Sequence, residues 1–275
     1  MTHFDILFFD LDNTLLRPDH ATVSDRNRAA LAAAQAKGVK LAIATGRCLS
    51  MIPPAVREID FDYAVTSNGT AIDDLKAGRR IFLHSFTREE ARIACEAAER
   101  NVDFYELFAD GLIRLTDQSY AKRHARPLPP WHVKYFAEHT EPSLGTLAEY
   151  LAAGAPGLEK VNMNMCDPAA LASLREEIEP AGLFEITTYS GATALEIVPR
   201  GCSKGACIRR LCKRLGVDIA RSAAFGDSGN DVEMLRTAGC GVAMGNAADA
   251  AKAAARRITA PYDEDGVAQF IEEYI

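Results

Sequence analysis

Short apolar runs that end abruptly in polar residues recur along this chain. The first, in DILFFDLDNTLL, carries Ile6, Leu7, Phe8 and Phe9 straight into Asp10 and Asp12. A continuous apolar run of this length predicts a parallel strand covered on both faces. SDRNRAALAAAQAKG follows with helical spacing, Ser24 standing as N-cap and Gly38 just past the end. VKLAIAT predicts a second strand and YAVTSNG a third, closed by Asn68 and Gly69. Strand, helix and strand in succession imply βαβ units and a parallel sheet.

From about residue 84 the pattern changes. TREEARIACEAAER opens with a capping box, Thr87 with Glu90, and predicts a helix. VDFYELFADGLIRLT predicts a hairpin turning on Asp110 and Gly111. Residues 123–143 are rich in Pro, His and aromatic side chains and predict irregular chain. LEKVNMNM alternates as a strand does, DPAALASLREEIEP predicts a helix capped by Asp167 with Pro168 first, and LFEITTY predicts a further strand. The first pattern then returns: ALEIVP, SAAFGD and CGVAMG as strands, with SKGACIRRLCKRLG (Ser203 to Gly216) and NDVEMLRTAG as helices. The economical reading is one α/β domain, residues 1–83 and 191–275, interrupted by an inserted α+β module at 84–190.

Four strand ends share one grammar: FFDLDNT, AIATGR, VTSNG and AFGDSGND. In open parallel sheets, ligands bind outside the carboxyl ends of the strands. If these strands are neighbours, Asp10, Asp12, Asp227 and Asp231 converge at one edge. Two carboxylates about 4 Å apart repel by roughly 1 kcal/mol in water and about 4 kcal/mol at an effective dielectric of 20. A divalent cation removes that conflict, and an all-oxygen site with room for water suits Mg²⁺.

Lys204 falls in the first turn of its predicted helix, where the macrodipole disfavours a cation. A lysine there has reason to reach for an anion held at the helix N-terminus. Thr45 and Gly46 follow the second strand and let a hydroxyl and a backbone N–H approach a phosphate. Arg47 has two options, a ligand or the acid cluster. Asn68–Gly69 is first a turn, and Asn230 is either a cap or a phosphate donor. DLDNTLLRPDHA begins like a calcium loop but has Leu15 and Ala21 where Gly and Glu are needed. GCGVAMG has Met244 in place of the third glycine of a dinucleotide loop. Trp131, His124, His132 and His139 lack metal-ligand spacing and read as loop or core residues.

Composition narrows the classes. Of 275 residues, 48% are hydrophobic and 25% charged, which supplies a sizeable core. A net charge of -7 argues against nucleic acid or an anionic membrane as the main partner. Seven cysteines without a C-x-x-C pair suit free thiols in a reducing cytoplasm. The first residues lack a basic n-region and no apolar stretch approaches the roughly 20 residues of a membrane span, so a cytoplasmic protein is expected.

DLDNTLL, ATGR, SKG and GDSGNDVEML…GVAMGNA together resemble the four motifs of the haloacid dehalogenase-like (HAD) hydrolases. Their order, and the insert between the second and third, resemble the Cof-type, class IIB phosphatase branch, as does the tail ITAPYDEDGVAQFIE. The resemblance implies a Rossmann-like core with an inserted cap, Mg²⁺ dependence and hydrolysis of phosphate monoesters of small metabolites, such as sugar phosphates or a phosphorylated cofactor. It makes Asp10 the nucleophile that forms an aspartyl-phosphate and Asp12 the general acid and base. Leu11 through its N–H, Thr45, Gly46, Lys204 and Asn230 would hold the phosphate. Asp10, the Asp12 carbonyl and Asp227 would hold Mg²⁺, with Asp231 supporting them directly or through water. The family usually has Gly where this chain has Asn13, and Asn tolerates the left-handed conformation best after Gly.

The chemistry asks for these residues independently. Monoester hydrolysis is among the slowest uncatalysed reactions, and a carboxylate nucleophile splits it into two steps. Neighbouring negative charge is expected to raise the pKa of Asp12 and so to favour its acid role. Two rival functions share the scaffold. A sugar phosphomutase would need a second phosphate site, and the insert offers only scattered basic residues: Arg114, Lys122, Arg123, Arg126, Lys134 and Lys160. A non-catalytic small-molecule-binding protein would not need the Asp10–Asp12 pair.

Overall fold

The apolar runs become strands of two separate sheets. The computed structural model describes residues 4–123, 143–164, 166–189 and 193–275. His124, Arg126, Trp131, His132, Lys134 and His139, singled out above, lie outside the described residues. In chain order the strands are β1 (Ile6–Phe9), β2 (Lys40–Ala44), β3 (Tyr63–Thr66), β4 (Ala71–Asp74), β5 (Arg79–Leu83), β6 (Glu106–Ala109) and β7 (Leu112–Arg114). There follow β8 (Leu158–Met163), β9 (Phe184–Tyr189), β10 (Ala194–Pro199), β11 (Ser222–Gly226), β12 (Cys240–Ala243) and β13 (Arg257–Ile258). The chain divides into one unit of Met1–Arg47, Ile52–Phe82 and Ser203–Ile275, and another of Cys48–Met51 and Leu83–Cys202.

The first unit is built on an eight-stranded sheet, order β13-β12-β11-β1-β2-β3-β4-β5. From β13 to β3 all neighbours run parallel. β1 lies at the centre with its four residues fully buried, because both sheet faces are covered. Ile6, Phe8, Ala42 and Val65 pack on one face with Cys207, Ile208, Leu211 and Met234. Phe9 stacks on Phe225 at 4.9 Å between centroids, and Phe225 meets Phe270 edge-on at 5.1 Å. The helix Asp25–Ala36 is capped by Ser24, which accepts from the Asn27 N–H. The helix Lys204–Leu215 is capped by Ser203 and ends on Gly216 at φ 67°. The α/β class with a Rossmann-like parallel core stands as read.

Three strands, β4, β5 and the short β13, were not read from the sequence. β4 runs antiparallel to β3, and β5 lies beyond it at the sheet edge. Only residues 67–70 join β3 to β4, too few for the crossover that parallel pairing needs. The turn takes Ser67, Asn68 and Gly69 through φ 49°, 54° and 92°.

The second unit carries a sheet ordered β7-β6-β8-β10-β9, antiparallel throughout. The β6–β7 hairpin turns on Asp110 (φ 52°) and Gly111 (φ 76°), the conformations a two-residue turn requires. Both halves of the Thr87–Glu90 capping box form on the helix Arg88–Asn101. With the helices Leu147–Ala152 and Pro168–Ile178 it covers one sheet face, over Leu107, Val161, Met163, Leu195 and Ile197.

One reading of this region needs correction. Ala194–Pro199, grouped above with residues 191–275, pairs as β10 with β8 and β9 in the second sheet. The first unit resumes only at Ser203. An apolar run looks the same whichever sheet it joins. LEKVNM forms the strand β8 as read, with all six of its residues buried.

Gly69 has a second constraint besides its φ. A Cβ there would lie 2.2 Å from the Ser203 carbonyl oxygen. Gly216, also at positive φ, has nothing within 4 Å of the same point. Gly69→Ala is therefore expected to destabilise the protein by at least about 1–3 kcal/mol, and by clearly more than Gly216→Ala. Urea unfolding of the two variants checks this, and equal midpoints would refute the close approach.

Candidate active site

The parallel register brings the ends of β1 and β11 side by side, Phe9 opposite Phe225. The next residues are therefore Asp10 from β1 and, after Gly226, Asp227 from β11. The Asp10 N–H donates to the Phe225 carbonyl at 3.0 Å, which extends the ladder by one bond and fixes the carboxylate at the edge. Asp231 stands in the short turn Gly229–Asp231. Carboxylate oxygens of Asp10, Asp227 and Asp231 all lie within 4.8 Å of one another.

Lys204 enters this cluster from the first position of its helix. Its Nζ donates to Asp10 Oδ1 and to Asp231 Oδ1, each at 2.7 Å, and the side chain is 1% exposed. The other oxygen of Asp231 accepts from the N–H groups of Asp227 and Ser228, both at 3.0 Å. Asp231 is thus held from both sides, as a positioning residue would be. Thr14 Oγ1 donates to Asp227 Oδ1 at 3.4 Å.

Three carboxylates face one ammonium, and the titration behaviour reflects it. Burial pushes the Asp10 carboxyl well above the ordinary range; Lys204 opposes this, and Asp231, Asp227 and Asp12 add to it. Burial, then the charge of Asp231, pushes Asp227 up to about 7. Burial disfavours the Lys204 ammonium, but Asp10 and Asp231 outweigh it and raise its pKa. The uncompensated charge and the all-oxygen donor set fit a hard divalent cation.

Asp12 behaves differently from its neighbours. Its side chain is 36% exposed and turns to Arg47, whose Nε donates to Oδ2 at 2.9 Å and Nη2 to Oδ1 at 2.6 Å. His20 Nδ1 lies 2.9 Å from Asp12 Oδ1. Burial raises the Asp12 pKa, but Arg47 and His20 outweigh it and hold the carboxyl well below the usual range. This corrects the expectation that neighbouring negative charge raises it. A bidentate guanidinium is nearer and better aligned than the other carboxylates. Asn13 adopts φ 55° between these carboxylates and Thr14, and its carbonyl accepts from Asn246 Nδ2 at 3.0 Å.

The other predicted residues gather at the same edge. Leu11, fully buried, follows Asp10 directly. Thr45 is fully buried at the end of β2. Its Oγ1 accepts from the Arg47 N–H at 3.1 Å and its carbonyl from the Asn68 N–H at 3.1 Å. Gly46, half-buried, lies between Thr45 and Arg47. Asn230 donates through Nδ2 to Asn68 Oδ1 at 3.1 Å and accepts from Ser228 Oγ at 2.7 Å. Asn68, read first as a turn residue, thus touches a residue predicted to hold phosphate.

His20 and Thr14 were not foreseen. His20 stands eight residues beyond Asp12, and only the fold-back after Leu16, with His20 at φ 54°, returns its ring to the carboxylate. No spacing rule carries that information.

The chain as a whole has known relatives. Residues 7–271 match the family model for haloacid dehalogenase-like hydrolase. The chain belongs to that family. It is 27% identical to a 5-amino-6-(5-phospho-D-ribitylamino)uracil phosphatase of Bacillus subtilis (strain 168), covering 98% of this chain and 97% of the relative. It is 30% identical to an HMP-PP phosphatase of Cronobacter sakazakii (strain ATCC BAA-894), covering 87% and 83%. Among solved structures, a HAD subclass IIB sugar phosphatase superposes with a TM-score of 0.78 at 26% identity, covering 98% of both chains. A HAD-like hydrolase from B. subtilis gives 0.82 at 28%, covering 98% and 100%. These HAD hydrolases share the α/β core, and the curated relatives named here are phosphatases.

The raised Asp227 pKa gives a sign for stability. Its carboxyl binds a proton more tightly folded than unfolded, so the gain is full below about pH 4 and lost as pH rises through about 7. A divalent cation held by these carboxylates would replace that proton. MgCl₂ at about 100 times its dissociation constant should stabilise by about 2.7 kcal/mol at pH 8 and markedly less at pH 5, with EDTA reversing it. Thermal unfolding at the two pH values checks this, and equal increments would count against cation binding by these carboxylates.

Proposed function

We propose that the protein is a Mg²⁺-dependent phosphatase of small phosphorylated metabolites, acting through an aspartyl-phosphate on Asp10. One observation carries the reading: Lys204 Nζ bridges Asp10 and Asp231 at 2.7 Å each, with Asp227 in the same cluster. That is a nucleophile, a phosphate-neutralising cation and a set of oxygen ligands at one sheet edge. The printed names of the relatives, phosphatases of an aminouracil phosphate, of HMP-PP and of sugars, support the substrate class.

In this reading, Asp10 Oδ attacks phosphorus, an O–P bond forms and the ester P–O bond breaks. The leaving oxygen takes its proton from Asp12. Water then attacks the aspartyl-phosphate, Asp12 receives its proton, and inorganic phosphate leaves. Asp12 rests ionised under Arg47 and His20, so it is ready for the second step, and the first needs a proton loaded onto it. Lys204, Thr45, Gly46, Asn230 and the Leu11 N–H hold the phosphoryl oxygens. Asp10, the Asp12 carbonyl and Asp227 would bind Mg²⁺, supported by Asp231. When bound, the ion supplies charge neutralisation for the transferring phosphoryl group and keeps Asp10 ionised despite its burial. Seven free, buried cysteines support a cytoplasmic setting.

The phosphomutase alternative draws less support. Among the described basic residues of the second unit, Lys160 is paired with Glu196, Lys122 lies 3.5 Å from Asp103, and Arg123 stacks on Tyr120. Asp10→Asn should lower phosphate release from p-nitrophenyl phosphate by at least about 10³-fold while leaving the thermal midpoint within a few degrees. Steady-state assays with Mg²⁺ check it, and a variant retaining turnover would remove Asp10 as nucleophile.

A further inference from the structure

The turn at residues 17–22 is built more firmly than a surface connection needs. The Arg17 N–H donates to the Thr22 carbonyl and the His20 N–H to the Arg17 carbonyl, both at 2.9 Å. Asp19 Oδ1 accepts from the N–H groups of Ala21 and Thr22, and Asp19 Oδ2 accepts from the Thr22 hydroxyl at 2.6 Å. These bonds hold His20 at φ 54°, an unfavourable conformation for a residue with a Cβ. The strain brings the imidazole onto Asp12, with Nδ1 2.9 Å from Oδ1.

Arg47 closes the arrangement. Its Nη2 donates to Asp12 Oδ1 at 2.6 Å and to the His20 carbonyl at 3.1 Å, and its Nε donates to Asp12 Oδ2 at 2.9 Å. Each of the three residues therefore touches the other two. The guanidinium alone already meets the charge of the carboxylate and fixes its plane. The imidazole must add something else.

What it adds is an inequality between the two oxygens. An ionised carboxylate only accepts, and each oxygen offers two acceptor positions. Asp12 Oδ1 receives Arg47 Nη2 and His20 Nδ1, so both of its positions are filled. Asp12 Oδ2 receives Arg47 Nε and, among the described residues, nothing more.

We propose that His20 is a positioning residue for Asp12: by filling Oδ1 it leaves Oδ2 as the oxygen that exchanges the proton. The inference rests on the phosphatase reading above. In that reaction the proton on Oδ2 passes to the leaving oxygen as the ester P–O bond breaks. Oδ2 later takes a proton from water as the water oxygen bonds to phosphorus and the aspartyl O–P bond breaks. One oxygen serves both steps, and the carboxylate need not rotate between them.

The backbone conformation selects the variants that test this. Gly and Asn both tolerate φ 54°. His20→Gly removes the imidazole, whereas His20→Asn keeps an N–H donor at the position of Nδ1. With p-nitrophenyl phosphate the leaving group needs little protonation, so steady turnover reads the second step. His20→Gly should lower kcat by at least about tenfold with KM changed by less than about threefold, and His20→Asn should restore most of the loss. Rapid mixing of His20→Gly should still release about one p-nitrophenolate per chain in a first burst, which shows an intact site with a slowed second step. If thermal unfolding shows His20→Gly unfolded at the assay temperature, His20→Ala carries the same expectations. Unchanged kcat overturns the proposal. So does a His20→Asn variant as slow as His20→Gly, or a burst that shrinks in proportion to the lost turnover, which would make the role of His20 structural. An unmodified protein that releases no phosphate removes the phosphatase reading and this inference with it; full turnover in His20→Gly removes the inference alone.

Discussion

Charge balance at the end of β1 governs the first unit. Three buried carboxylates stand within one cluster, and a single buried ammonium spans two of them. Each carboxylate taken from water costs several kcal/mol unless it is compensated. The surrounding structure supplies what compensation it can: two backbone N–H groups and Lys204 on Asp231, a threonine hydroxyl on Asp227. Among the described residues no second positive charge joins the cluster, and burial first, then the neighbouring carboxylates, raise the pKa values of Asp10 and Asp227. Such a deficit is costly in a domain of marginal stability, and a divalent cation held by these carboxylates would make it good.

The same deficit explains why Asp12 is kept apart. Were its side chain to join the cluster, a fourth carboxylate would meet one ammonium. Turned instead to Arg47 and His20, it sits beside the cluster with a separate charge partner. Two acids one residue apart therefore have opposite titration shifts, the arrangement that assigns different roles to chemically identical groups. Asn13, the residue after Asp12, takes the left-handed conformation within that turn.

Backbone close approach does the remaining positioning. Gly69 meets the Ser203 carbonyl with no room for a side chain, which seats the β3–β4 turn against the start of the lysine's helix. Asn68 of that turn then reaches Asn230.

Much of this was legible in the residues. The apolar runs, the caps at Ser24, Thr87, Asp167 and Ser203, and the Asp110–Gly111 turn are local matters, decided by periodicity and by side chains that bond their own neighbours. The acids and Lys204 could be picked out because their positions offend local rules and so ask for another purpose. What the sequence could not carry was anything decided by a distant partner: the antiparallel β4, the sheet to which β10 belongs, the pairing of Asp12 with Arg47 and His20, and the burial of the polar side of β8. Periodicity reports that a strand has two faces. Which face meets solvent, and which carboxylate meets a guanidinium, depends on chain brought back from tens of residues away.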